Sequence, residues 1–180
     1  MKTLPDISDL YPQMLNVSNK RFLRYGKSNI LNGEIETVFC TDDNSLVKSI
    51  LAEDGGGKIL VIDAAGVNHV SMIGDQIAAE AVKNNWQGVV LNGNVRDVKE
   101  INDLPILIMA KGSVFKKTKK FGLGKRGVMI SFAGLVFKPG YWLYADENNF
   151  GISRQKLEFW SMINCFFSQI SSTKALNSSL

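Results

Sequence analysis

The chain has 180 residues, 45% of them apolar and 21% charged, which suits one globular domain around one buried core and leaves too little for two. A formal charge of +4 and a pI near 9.0 leave nucleic acid or an anionic small molecule open as ligand, but the excess is small and local, so a pan-basic nucleic-acid binder is not favoured. With Cys40 and Cys165 the only cysteines and His69 the only histidine, neither a disulfide scaffold nor a Cys/His metal spacing can be written, and a reducing, cytoplasmic setting is expected. Lys2 is followed by Pro5, Asp6 and Asp9 where a signal peptide would be apolar, and no apolar run reaches the roughly 18 to 20 residues of a membrane span.

Ile7, Leu10, Tyr11, Met14 and Leu15 recur at helical spacing, which predicts an N-terminal helix over 5–19 capped by Asp6 or Ser8. Residues 33–39 alternate polar and apolar, as a half-buried strand does. A capped helix follows over 42–54, with Leu46, Val47, Ile50 and Leu51 inward. Gly55-Gly56-Gly57 ends it, and 58–63 is a continuous apolar run of the kind found in a strand covered on both faces, with ligands expected at its C-terminal end. The next helix spans 75–85, with Ile77, Ala78, Ala81 and Val82 inward; 88–93 and 104–109 are further buried strands. Beyond Lys111, 128–132, Leu135–Phe137 and 142–144 are short strands separated by Gly127, Gly134 and Pro139-Gly140, which predicts antiparallel hairpins with Trp142 and Tyr144 in the core.

The expected architecture is a single mixed α/β domain over 1–170, with a partly parallel central sheet, helices and C-terminal hairpins, and a disordered polar tail over 171–180. Phe159, Ile163, Phe166, Phe167 and Ile170 fall on one helical face, suited to docking on the core or on a partner subunit.

Gly55-Gly56-Gly57 precedes a strand, so it fails the context of a phosphate loop, and Ala64-Ala65-Gly66 lacks the Lys-Ser/Thr ending of one; nucleotide binding is not expected. The stretch 74–100 differs, because it sets ionic groups at both ends of one helix-strand unit. Gly74-Asp75 opens a helix, where free N–H groups and the helix dipole favour a carboxylate. Arg96-Asp97, after a turn at Asn92-Gly93-Asn94, would return to the edge where Gly74 sits. Arg offers a planar fork to a carboxylate, and the lone carboxylate beside it can hold a hydrated Mg²⁺, a pairing that suits a 2-oxo acid. The basic run Lys116-Lys117-Thr118-Lys119-Lys120 with Lys125-Arg126 reads either as a solvated loop or as an attractor of anionic substrates or RNA, and His69 as a polar loop residue.

Ile73-Gly74-Asp75-Gln76, Trp86-Gln87-Gly88-Val89-Val90 and Asn92-Gly93-Asn94-Val95-Arg96-Asp97-Val98 together resemble the central signature of the RraA-like proteins, and the likeness runs collinearly over about residues 5–157. That family includes 4-hydroxy-4-methyl-2-oxoglutarate aldolases, which often also decarboxylate oxaloacetate, and regulators of ribonuclease activity. The resemblance implies a swivelling β/β/α type domain in a homotrimer or dimer of trimers, with sites near subunit boundaries. It implies pyruvate contacts from Gly74, Asp75, Gln76 and Ile77, substrate binding by Arg96, an Mg²⁺ or Mn²⁺ anchored by Asp97, and Glu100 orienting water around that metal. The general base is left open, with Asp75 one candidate. The loop Ala64-Ala65-Gly66 has less glycine than the family pattern, and Asn149-Phe150-Gly151 stands where Asp-Gly is usual.

Two functions follow as expectations. One is a metal-dependent lyase acting on 2-oxo dicarboxylates. The other is a regulator that binds a ribonuclease. The regulator branch commonly lacks the acid after the Arg, whereas Asp97 is present, and a competitor of RNA should be acidic, whereas this chain is basic; the enzyme is favoured.

Overall fold

The computed structural model describes residues 3–158. In chain order these form α1 (Leu4–Leu10), β1 (Asn16–Val17), β2 (Leu23–Tyr25), β3 (Leu31–Phe39), α2 (Ser45–Leu51), β4 (Ile59–Asp63), β5 (Ser71–Ile73), α3 (Asp75–Lys83), β6 (Gly88–Val95), α4 (Val98–Asn102), β7 (Leu107–Ser113), β8 (Lys125–Arg126), β9 (Ile130–Phe132), β10 (Leu135–Phe137), β11 (Trp142–Ala145) and β12 (Phe150–Ser153). The C-terminal helical face and polar tail expected from sequence lie outside the described residues.

Every residue of β4 is buried, because its side chains serve two cores in alternation. Leu60 and Ile62 join Val89 and Leu91 of β6 and Ile108 and Ala110 of β7 on one face, which α2, α3 and α4 cover with Val47, Ile50, Leu51, Ile77, Ala78, Ala81 and Ile101. Ile59 and Val61 join Val90, Leu107 and Met109 on the other. Among the described residues no helix covers that second face. The sheet curls over it through β11 and β12, which turn Leu143, Ala145, Phe150 and Ile152 inward, and the β9/β10 hairpin adds Ile130, Leu135 and Phe137. Phe137 stacks on Phe132 with centroids 4.5 Å apart, and Phe22 meets Phe150 edge-on at 5.1 Å. A helical layer, a parallel sheet and a β layer result, the β/β/α order expected.

β3, β4, β6 and β7 pair in parallel, and antiparallel partners flank them, β11 on β3 and β2 on β7. Among the described residues no helix is long and apolar enough to cross a membrane.

Several elements differ from their sequence reading. α1 has seven residues, not fifteen, and Thr3 caps it in place of Asp6 or Ser8: Thr3 Oγ1 accepts the Asp6 N–H at 3.4 Å and Asp6 Oδ2 accepts the Thr3 N–H at 2.9 Å. It stops because Pro12 pushes Tyr11 out of the helical region, to φ −130 and ψ 54. α2 is likewise shorter than 42–54. The third buried strand starts at Leu107, since Pro105 has no N–H for a ladder. The turn expected at Asn92-Gly93-Asn94 is absent, for β6 runs through it to Val95 with β7 on one side and β5 on the other. β1, β2, β5, β8 and β12 had no clear sequence signal.

Candidate active site

Gly74 joins β5 to α3. Its φ of −117 and ψ of −177 are ordinary extended backbone, so the requirement for glycine is spatial: a Cβ would stand 2.8 Å from Asp97 Oδ2 and 3.2 Å from Arg96 Nε. As N-cap it also lacks a side chain to satisfy the first turn. The first intrahelical bond runs from the Ala78 N–H to the Gly74 carbonyl at 3.0 Å, which leaves the N–H groups of Asp75, Gln76 and Ile77 without intrahelical acceptors. A helix mouth of this kind favours an anion.

The continuation of β6 brings the partner group there. The Arg96 N–H donates to the Ile73 carbonyl at 2.9 Å, locking the end of β6 against β5 one residue before Gly74. Arg96 Nε donates to Asp97 Oδ2 at 2.7 Å, and the two side chains are 23% and 29% exposed. The other guanidinium nitrogens make no hydrogen bond among the described residues. Asp97 caps α4 in the left-handed region, at φ 53 and ψ 46, a conformation that Asp tolerates better than most residues but that still costs on the order of 1 kcal/mol. Burial alone would raise its carboxyl; the hydrogen bond and charge of Arg96, with the backbone and side chain of Asp75, outweigh that and hold it below the ordinary carboxylate range.

Gly74, Asp75, Gln76, Ile77, Arg96 and Asp97 line one cleft of about 540 Å³, so six of the seven site residues expected from sequence come together. Glu100 is not with them: it lies exposed on the first turn of α4 and lines neither this cleft nor the adjoining one. That second, more open cleft lies beside the same Arg96 and Asp97 and is bordered by Ser113 and Phe115, the latter 92% exposed. His69 sits on the surface 3.2 Å from Asp42.

Two groups were not placed at the cleft by the sequence reading. Lys117 and Lys120 line the cleft, although the basic run leaves its place open between a solvated loop and an attractor of anions. Asp43, wholly buried, holds that run in place: its Oδ2 accepts the N–H groups of Phe121 and Leu123 at 2.6 and 3.0 Å, and its Oδ1 that of Ser45 at 2.7 Å. In sequence, Asp42-Asp43-Asn44 looks like redundant capping ahead of α2. Nothing local tells which carboxylate turns inward.

Among the described residues no three His, Cys, Asp or Glu side chains gather as a metal cage. One carboxylate beside an open cleft is instead the donor set of a hard cation that keeps most of its waters and takes further oxygens from a ligand. Asp97 fits that requirement.

Fold and cleft define a β/β/α domain with a cleft where a helix mouth meets an Arg-Asp pair. The chain belongs to the RraA-like family, described as Aldolase/RraA, whose profile matches residues 4–150. A relative from Pseudomonas fluorescens is 42% identical over 86% of this chain and 94% of its own, and one from Shewanella oneidensis 39% identical over 87% and 95%; both carry the provisional name 4-hydroxy-4-methyl-2-oxoglutarate aldolase. Among solved structures, the RNA-processing inhibitor RraA from Thermus thermophilus superposes with a TM-score of 0.85 at 31% identity, covering 89% of this chain and 97% of that one. A Geobacillus kaustophilus protein described as an S-adenosylmethionine:2-dimethylmenaquinone methyltransferase gives 0.84 at 35%, covering 87% and 97%. Three different activities thus attach to one fold, and the reaction has to be argued from the site.

Proposed function

We propose that this protein is a divalent-metal-dependent lyase that cleaves 4-hydroxy-4-methyl-2-oxoglutarate into two molecules of pyruvate, that it also decarboxylates oxaloacetate, and that it acts in the cytoplasm. The observation that carries this reading is the convergence of the α3 mouth with Arg96 and Asp97 on one cleft. The provisional name of the 39–42% identical relatives supports it.

In this reading the N–H groups of Gln76 and Ile77 and the unoccupied nitrogens of Arg96 bind the carboxylate at the 2-oxo end. Cleavage breaks the C3–C4 bond: the 4-hydroxyl gives up its proton, C4 becomes the carbonyl of one pyruvate, and the electron pair passes to C3 and the 2-oxo oxygen as the enolate of the other, which becomes pyruvate when C3 takes up a proton in place of the one released. Arg96 stabilises that growing negative charge in place, without reorganisation. Asp75, which lines the cleft beside Asp97 and bonds to it, is the candidate to take the hydroxyl proton, since Glu80 and Asp97 are each engaged by a cation, Lys83 at 3.8 Å and Arg96 at 2.7 Å. Mg²⁺ or Mn²⁺ held by Asp97 and water would supply Lewis-acid polarisation of the 2-oxo group. Glu100 is given no part, given its place on α4.

A coupled assay of pyruvate release from both substrates, with Mg²⁺ and then with excess chelator, tests the proposal. Chelation is expected to abolish turnover, and Arg96→Ala or Asp97→Asn to lower kcat by roughly 10²- to 10³-fold, the usual worth of one such electrostatic group. Release that ignores the chelator, or none from any 2-oxo acid, overturns it. The likeness to the RNA-processing inhibitor keeps a second reading, a non-catalytic regulator that binds a ribonuclease; capture of a ribonuclease by protein inactive on all 2-oxo acids would establish it.

A further inference from the structure

The cleft is larger than a three-carbon acid needs, and its lining carries a second set of cations. Lys48 of α2 and Lys117 and Lys120 border it, and none of the three makes an ion pair among the described residues. Of the carboxylates in the lining, Glu80 and Asp97 already face Lys83 and Arg96, which leaves Asp75 against three lysines. The lining therefore holds an excess of positive charge with no protein partner.

Two of these lysines lie on a chain segment tied down at both ends. Ser71 of β5 donates its N–H and its hydroxyl to the Lys116 carbonyl at 2.9 and 3.1 Å and bridges Lys117, three residues before Gly74. At the other end the Phe121 and Leu123 N–H groups close on the buried Asp43, which also holds the start of α2 through Ser45. Anchored backbone lowers the ordering cost of presenting Lys117 and Lys120 to a ligand.

We infer that Lys117 and Lys120 form a second carboxylate subsite, which takes the distal carboxylate of a 2-oxo dicarboxylic acid, and that Asp43 is the positioning residue that holds them over the cleft. The inference rests on the reading of the α3 mouth and Arg96 as the seat of the 2-oxo end. It makes the protein selective for dicarboxylates, since a monocarboxylate leaves the lysine pair without a partner.

Calorimetric titration with 2-oxoglutarate, a dicarboxylate that carries no 4-hydroxyl to cleave, and with pyruvate, both with Mg²⁺, separates the two ends. In the Lys117→Met/Lys120→Met double variant the Kd for 2-oxoglutarate is expected to rise roughly 10- to 100-fold, the loss that charge-assisted hydrogen bonds carry, while that for pyruvate stays within about 3-fold. Arg at both positions should restore the preference. Asp43→Asn should shift the ratio of the two constants in the same direction, which a merely stabilising residue would not do. Equal weakening of both probes, or none, in the lysine variant overturns the subsite; proportional weakening in Asp43→Asn overturns the positioning role. Wild-type protein that binds 2-oxoglutarate in a lysine-dependent way yet releases no pyruvate from any substrate would keep the subsite and defeat the aldolase reading, and wild-type protein that binds neither probe defeats both.

Discussion

At the scale of single residues, two carboxylates, Asp43 and Asp97, are both held below the ordinary carboxylate range by their partners. Burial by itself would raise the Asp43 carboxyl; the hydrogen bonds from Ser45, Leu123 and Phe121 instead hold it down to about 2, from an ordinary 3.8. A folded-state pKa below the unfolded one gives stability that is complete above about pH 4 and is lost as the pH falls towards 2, here about 2 kcal/mol. Urea midpoints of wild type and Asp43→Asn should therefore differ at pH 6 and converge near pH 2; a gap of equal size at both values would show that the charge is not what stabilises. Asp97 combines charge with a left-handed backbone. Asn tolerates that backbone better than Ala, although Ala65 and Ala133 adopt it elsewhere in the chain, so Asp97→Asn should unfold close to wild type, whereas Asp97→Ala should lose a further ~1 kcal/mol in the same titration. Gly74→Ala separates space from chemistry: its Cβ needs the Arg96–Asp97 pair to move, so kcat should fall at least about 10-fold with a stability change under ~1 kcal/mol. Arg96, Asp97 and Gly74 were legible in the sequence because each sits where a strand ends or a helix begins. The inward turn of Asp43 and the place of Lys117 were not, because the contacts that fix them span 46 or more residues.

At the scale of elements, legibility followed the strength of the periodic pattern. β4 from Ile59 to Ile62 and β6 from Gly88 to Leu91 are apolar at every position, and such runs have few solutions besides a strand buried on both faces. The error at Asn92-Gly93-Asn94 has a specific cause. Glycine between two asparagines reads as a turn, yet Gly93 is small for packing: a Cβ there would meet Ala64 Cβ at 3.0 Å and Leu91 Cδ1 at 3.2 Å. The polar neighbours are satisfied by tertiary partners, Asn92 Nδ2 donating to Asp63 at 2.7 Å and Asn94 Nδ2 to the Val67 carbonyl at 3.3 Å. Gly88, at the other end of β6, is under tighter constraint, since a Cβ would lie 2.5 Å from the Leu107 carbonyl oxygen and 2.3 Å from Leu31 Cδ2. Gly88→Ala must push β6 and β7 apart and should cost about 3 kcal/mol in the urea midpoint; a loss below ~1 kcal/mol would show that this part of the sheet adjusts freely.

For the whole molecule, the site is open on the side where Phe115 stands 92% exposed, with Phe121 at 65% and Leu123 at 58% on the same stretch of chain. Exposed large apolar groups on one stretch of chain suit an interaction surface, in keeping with the homotrimer or dimer of trimers that the family resemblance implies. Sedimentation should give about three times the 19.9 kDa chain mass, or six, and Phe115→Asp should lower it; a wild-type monomer at micromolar concentration would contradict this. The sequence by itself determined the α/β class, the buried strands and the pairing of a helix start with Arg96-Asp97, because the first two are matters of local periodicity and the third joins the two ends of one helix-strand unit, 22 residues apart. Tertiary structure alone decided that Asp43 turns inward, that Lys117 and Lys120 border the α3 mouth and that Glu100 stays outside it. Those placements depend on hydrogen bonds and packing between segments distant along the chain, whose energies no stretch of sequence contains on its own.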